Sequence, residues 1–323
     1  KQKHLAKIAA LRLEGKEVPK QLTNDVKPVT AKEKTEIYAC YLSALIWAFS
    51  SVIDESSKGE FERVVREAAN NACEEGPALV EVGKEGKLPP EQSIYEIFYE
   101  FDKKAWKLWL GTLTEFKLPE DIKFHEVYIP TLENLRNTSF LYQMLTHDYP
   151  VLFIGKTGTG KTTCIKKLLL NELDQSAYIP TITVFSANTT CVNAQDVLES
   201  KLEKQKRRKG VYGPVMGFTN LIFIDDLNMP AKEKYGAQPP LELIRQWLDY
   251  KGWYDRKSLE FKTIADIQFV TAMGVGRAAI SNRLLRHFNI VYLNEMSDDT
   301  LKMIVRKTLE WGFSRHVDKV KFM

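Results

Sequence analysis

Residues Gly155 to Thr162, reading Gly-Lys-Thr-Gly-Thr-Gly-Lys-Thr, constrain this chain more than any other feature. They fit G-x-x-x-x-G-K-[ST] at every position, directly after the apolar run Val151 to Ile154 and before TTCIKKLLLNEL. The pattern therefore sits where a strand turns into a helix. Glycines there let backbone N–H groups face inward around an anion, and the helix N-terminus adds its positive dipole end. Gly155, Lys156, Thr157, Gly158, Thr159, Gly160, Lys161, Thr162 and Thr163 are accordingly the candidate phosphate-binding residues. Lys161 would reach the β and γ phosphates of a nucleotide, the Thr162 hydroxyl would ligate Mg²⁺, and Thr163 would contact phosphate. The alternative is a chance glycine-rich turn, against which the flanking strand and helix both speak.

A second run supports the first. Leu221 to Ile224 end in Asp225-Asp226, the form of a Walker B strand that carries a carboxylate to the Mg²⁺ water shell. Asp225 is the metal-side candidate, and Asp226 stands where a glutamate commonly polarises the attacking water, with a side chain one methylene shorter. Lys161 and Asp226 are thus the catalytic candidates. A solvated acidic pair at a sheet edge is the plainer reading, but two carboxylates without a cation would repel. VLFIG (151–155), TITVFSA (181–187), LIFIDD (221–226) and IQFVTAM (267–273) are continuous apolar runs spaced by helical stretches. Such runs predict an α/β fold with a parallel sheet covered on both faces.

Composition excludes several classes. With 44% hydrophobic and 27% charged residues the chain is neither disordered nor a collagen or disulfide scaffold. Forty-six basic against forty-two acidic residues leave a net charge of +4, without the footprint of a nucleic-acid binder. Cys40, Cys73, Cys164 and Cys191 lie far apart with no CxxC and read as reduced thiols. The chain opens on Lys1 with a basic helical stretch, not a signal peptide, and reads as part of something longer.

Residues 37–53, IYACYLSALIWAFSSVI, are uncharged, yet Ile37, Tyr38, Tyr41, Leu42, Leu45, Ile46 and Phe49 recur at helical spacing. A buried soluble helix is expected in place of a membrane span. A second amphipathic run, GEFERVVREAANNACEEG, extends the helical block, and the aromatic stretch 93–117 is expected to pack on a neighbour rather than stack nucleic-acid bases. The basic run KLEKQKRRKG (201–210) reads as a solvated helix end before a hairpin. Trp247 and Trp253 are expected in the core, and His287 as a satisfied histidine.

The phosphate loop, FIDDLNMP (223–230), YGAQPPLELIRQWLDYKGWYDR (235–256) and NRLLRHFNI (282–290) together resemble a dynein heavy chain motor, and within it the third AAA+ module. LSALIWAFSSVID resembles the helix closing the small subdomain of the second module, and VYIPTLENLRNTSFLYQML (127–145) resembles the start of the third. The FIDDLNMPAKEKYGAQPP run looks axonemal, which implies a cytoskeletal protein of a cilium or flagellum. The resemblance implies an N-terminal helix and linker (1–36), a helical small subdomain and connector (37–118), an AAA+ large subdomain (119–300) and the start of a following helical lid (301–323). It also implies that the chain stops before the lid is complete.

By the same resemblance, ATP or ADP with Mg²⁺ binds at the boundary with the next module, and Ile129, Pro130 and Thr131 border the adenine. Arg283 and Arg286 are candidate trans-acting arginines aimed at the preceding module's nucleotide, surface ion pairing being the plainer alternative. Implied partners are neighbouring AAA+ modules of the same heavy chain and the intermediate and light chains of a dynein complex. The microtubule is reached only through a stalk outside this chain, and neither nucleic acid nor membrane is expected.

In TAMGVGRAAISN (271–282) this sequence departs from the family. Gly274 stands where an asparagine would sense the γ-phosphate, and loss of a comparable transition-state hydrogen bond costs about 2.7–4 kcal/mol. Thr271 is a weak substitute. The expected function is a regulatory nucleotide-binding module with slow or secondary hydrolysis. The alternatives are a fully competent ATPase, another AAA+ remodelling ATPase and a structural segment with an empty pocket. Restoring Glu at 226 and Asn at 274 would raise turnover in an impaired site and change little in a competent one.

Overall fold

In the computed structural model, residues 30–50, 53–74, 86–112, 127–205, 210–276 and 279–320 are described. They fall into two compact units, the first within 1–47 and 60–107, the second within 48–59 and 108–323. The readings made for the N-terminal segment 1–29 and for Lys206, Arg207, Arg208 and Lys209 of the basic run lie outside the described residues, as does the Cys73 side chain.

The first unit is built on helices α1 (Ala31–Ser50) and α2 (Lys58–Glu74). Ile46 and Val65 bury against Ile94 and Tyr95, with Leu45, Phe61 and Leu88 packed around them. Glu62 ties the layer together: it accepts from Arg66 Nη2 at 2.8 Å and from Ser93 Oγ at 2.9 Å. The buried face of α1 is Thr35, Ala39, Leu42 and Ile46, whereas Ile37, Tyr41 and Phe49 are exposed. The expected helix is present, but of the apolar residues read at helical spacing Ile37, Tyr41 and Phe49 lie outside its buried stripe. A helix packed on one side buries only one stripe. No described helix is long and apolar enough to cross a membrane.

Within the small unit expected to be helical, the aromatic stretch supplies strands as well: β1 (Ile97–Glu100) and β2 (Ala105–Leu108) form a two-stranded sheet. Tyr99 is buried and meets the Phe101 and Trp106 rings edge to face at 5.2 and 5.4 Å. Lys103 and Lys107 pair with Glu100, and Lys104 with Glu36, so the lysines among these aromatics are neutralised.

The second unit opens with α3 (Leu132–Thr146), β3 (Val151–Gly155) and α4 (Lys161–Lys167), the last continued by one π turn over Leu168–Glu172. Then come β4 (Tyr178–Val184), α5 (Cys191–Glu199), β5 (Glu203–Lys204), β6 (Val211–Gly213) and β7 (Thr219–Asp225). Next are α6 (Pro239–Tyr250), β8 (Gly252–Tyr254), β9 (Phe261–Ile264) and β10 (Ile267–Gly274). The short α7 (Asn282–Leu285), β11 (Asn289–Leu293) and α8 (Asp298–Val320) close the chain.

Five strands make one parallel sheet in the order β11-β3-β10-β7-β4. Alternation along each strand builds two cores. Leu152, Ile222, Ile224 and Phe269 face α5 and α6 through Leu198, Ile244 and Trp247. Val151, Phe153, Leu221, Phe223 and Val270 face α3 and α4 through Leu141, Leu145 and Ile165. Each such side chain contributes roughly 1.5–3 kcal/mol on burial, which is why consecutive residues of these strands are all apolar. The fold is the expected α/β sheet with helices on both faces.

β5, β6, β9 and β8 form a second, mixed sheet in that order. Trp253 is wholly buried there and donates to Glu199 Oε1 at 2.7 Å, while Trp247 donates to Ile264 O at 3.0 Å.

Candidate nucleotide site

The phosphate loop starts where β3 has no room for a side chain. A Cβ on Gly155 would fall 2.8 Å from Leu293 O on β11 and 3.1 Å from Thr159 Oγ1. The chain then turns through Gly158 and Gly160 at φ +86° and +80°, a region glycine enters without strain. Gly160 caps α4, aiming the helix N-terminus at the loop.

Lys161 folds back into this loop. Its Nζ donates to Gly155 O at 2.8 Å, Lys156 O at 2.6 Å and Thr159 Oγ1 at 3.2 Å. Burial lowers its pKa below that of an ordinary lysine, and Asp225 and Asp226 only partly oppose this. Phosphate oxygens would replace neutral acceptors by charged ones and relieve that penalty.

Thr162 Oγ1 donates to Asp225 Oδ2 at 2.7 Å, bringing the hydroxyl and carboxylate of the two motifs together. Asp225 Oδ1 accepts from Asp226 N at 3.0 Å. Among the described residues no group of three or more His, Cys, Asp or Glu gathers around a metal position. The Thr162 hydroxyl and the Asp225 carboxylate are the protein oxygens that would hold Mg²⁺, an ion commonly bound by one or two such groups with phosphate and water oxygens completing its shell.

Asp226 lies at φ +52°, uncommon for a residue with a Cβ but tolerated by Asp, and opens a turn closed by Met229 N to Asp226 O at 2.9 Å. Beside it, Gly274 ends β10 in register with Gly155, and a Cβ built on Gly274 meets nothing within 4 Å. Thr271 cannot replace the missing side chain. It is buried, and its Oγ1 donates to Val151 O at 3.3 Å inside the sheet.

Ile129 and Thr131 are buried, and Thr131 Oγ1 accepts from Asn134 N at 3.2 Å as the N-cap of α3. The Asn134 side chain reaches the loop, since a Cβ on Gly160 would lie 3.6 Å from Asn134 Oδ1 and 3.4 Å from Met296 Cε. Thus the segment from Ile129 to Thr131 is tied to the phosphate loop through α3. Lys156 pairs with Glu295, and Lys167 Nζ lies 4.4 Å from the centre of the Tyr128 ring.

The two candidate arginines differ. Arg286 Nη2 donates to Asp249 Oδ1 at 2.8 Å, and His287 Nε2 lies 3.0 Å from the same oxygen. Arg283 is exposed on α7, without an ion pair among the described residues. Asn134, Asn228 and Gln238 were missed by sequence reasoning. Their signal, amides inside otherwise apolar runs beside the two motifs, is weak.

Comparisons with known proteins decide the family. Residues 116–296 match the P-loop containing dynein motor region, and residues 16–111 match the dynein heavy chain AAA lid domain. The chain belongs to the dynein heavy chain family. It is 39% identical over 288 residues to dynein axonemal heavy chain 3 of Homo sapiens, covering 86% of this chain and 7% of that relative. It is 37% identical to human dynein axonemal heavy chain 12 over 284 residues (86% of this chain, 9% of the relative). To human dynein axonemal heavy chain 1 it is 40% identical over 274 residues (82% and 6%). The dynein resemblance and its axonemal character, read from FIDDLNMP and its neighbours, are thus upheld. This dynein chain spans under a tenth of the length of these relatives.

Proposed function

We propose that this chain is a regulatory nucleotide-binding part of an axonemal dynein motor, the end of the second AAA+ module and the large subdomain of the third. Gly155 to Thr163 hold the phosphates of ATP or ADP, Thr162 and Asp225 hold Mg²⁺, Lys161 neutralises the β and γ phosphates, and Ile129 to Thr131 border the adenine. Bound nucleotide sets how neighbouring AAA+ modules dock and so gates the main ATPase site. The protein works in the axoneme of a cilium or flagellum, with intermediate and light chains, and meets the microtubule only through a separate stalk.

The observation that carries the reading is the 2.7 Å bond from Thr162 to Asp225 beside a half-buried Lys161. A hydroxyl and a carboxylate of the kind that hold Mg²⁺ therefore lie near a lysine folded into a glycine-rich loop, which supports the reading that the loop takes nucleotide phosphates. Slow hydrolysis follows from what surrounds that pair: Gly274 offers no side chain, and the Asp226 carboxylate is one methylene short of the usual glutamate.

The test is made on the intact motor. Radiolabelled ATP and Mg²⁺ are supplied, free ligand is removed, and the nucleotide retained here is identified by comparison with Lys161→Ala. ATP that persists through many cycles of the main site supports a binding switch. ADP appearing at a rate matched to stepping makes this a working ATPase, and no Lys161-dependent nucleotide would leave a structural segment.

A further inference from the structure

The turn after β7 holds a buried amide that the phosphate loop and the two aspartates do not account for. Asn228 is 3% exposed; its Nδ2 donates to Gly274 O at 3.2 Å, and its Oδ1 has no hydrogen-bond partner. Buried acceptors are nearly always satisfied, so an orphan beside a ligand site points to a group that arrives with the ligand.

Its placement is specific. Leu227 N donates to Ala272 O at 3.0 Å and Gln238 Nε2 to Asn228 O at 3.4 Å, which pins the turn across the C-terminal end of β10. That strand lies between β3, which leads into the phosphate loop, and β7, which carries Asp225. Open parallel sheets bind ligands outside the carboxyl ends of their strands. There the Gly274 backbone is gripped by Asn228, while the space a side chain at 274 would fill is open.

We propose that Asn228 is the positioning residue that reads the γ-phosphate at this site, supplying from the Walker B turn the amide that Gly274 lacks. The proposal rests on the reading above, that the loop binds Mg-ATP. One N–H of the amide is committed to Gly274 O. The second N–H and the free carbonyl remain, a donor and acceptor suited to a water lying against a γ-phosphate oxygen. ADP has no such oxygen, so Asn228 makes the site prefer ATP.

The test compares dissociation constants of labelled Mg-ATP and Mg-ADP in the intact heavy chain, the Lys161-dependent portion defining this site. Asn228→Ala is expected to weaken ATP about tenfold and to leave ADP within about twofold, the scale of one hydrogen-bonded contact to a charged group. Adding Gly274→Asn to Asn228→Ala is expected to restore the preference, which a merely structural role would not allow. Equal weakening of both nucleotides with a lower melting temperature, unrestored by Gly274→Asn, would show that Asn228 only folds the turn. An unchanged preference would also overturn the proposal. Absence of any Lys161-dependent nucleotide in the wild type would instead remove the binding reading itself, and this proposal with it.

Discussion

Arg283 and Arg286 lie three residues apart in NRLLRHF, and only their surroundings separate them. The Arg286 guanidinium is engaged by Asp249, which also meets Arg245 Nη1 at 2.7 Å and His287, so it is held against the chain's own α6. Burial pushes the Asp249 carboxyl pKa up, but Arg286, His287 and Arg245 together hold it below the ordinary aspartate value. An arginine so engaged would have to give up a charged partner to reach a nucleotide elsewhere, whereas Arg283 gives up none. In the proposed ring, Arg283→Ala is therefore expected to slow hydrolysis in the preceding module by about 10³-fold or more, the scale of a lost arginine finger, while leaving the melting temperature unchanged. Arg286→Ala is expected to lower stability by about 1 kcal/mol or less, as for other exposed ion pairs, with a smaller kinetic effect. Turnover and thermal unfolding of the two variants check this, and the reverse order of kinetic effects would reject Arg283 as the finger.

At the scale of elements, Gly155 and Gly274 end neighbouring strands in register but have opposite tolerance for a side chain. The Cβ of an alanine at 155 would press on the Leu293 backbone, which belongs to the paired strand β11 and cannot swing away. Gly155→Ala is expected to cost about 1–3 kcal/mol, as overpacking does, and to lose nucleotide. Gly274→Ala should stay within about 0.5 kcal/mol of the wild type. Chemical denaturation of both variants decides the matter, and equal costs would refute the argument.

The same strands show what was legible in the sequence. β3, β7 and β10 are buried on both faces, so their continuous apolar runs stood out. β5, β6, β8 and β9 are two to four residues long and partly exposed, with no periodicity to detect. β11 was read only as part of the NRLLRHFNI resemblance. On α1 the residue types gave the helix but not its buried face, because that face depends on α2 and on Ile94 and Tyr95. The site divides likewise: the phosphate loop is contiguous and was legible, but the contacts of Asn134, Asn228 and Met296 come from other elements and exist only after folding.

For the whole molecule, the proposal makes this site an effector of another, and linkage then fixes a relation between two measurements. If nucleotide here changes the main site's equilibrium affinity by some factor, occupancy of the main site must change affinity here by the same factor. Couplings of this kind are typically about 5–150-fold. Lys161 on the carbonyls of its own loop and Lys156 on Glu295 give a nucleotide local contacts to displace, and β3, β7 and β10 share one core with α6 and α7, the physical route the proposed coupling would use. Two affinities are therefore to be measured with a non-hydrolysable ATP analogue in the intact motor. One is the affinity at this site with the main site intact or disabled at its own phosphate-loop lysine. The other is the affinity of the main site with Lys161 intact or replaced by alanine. Equal factors well above one are expected. Two factors of one would leave nucleotide here bound but uncoupled, and the regulatory role would fall even though the site itself binds.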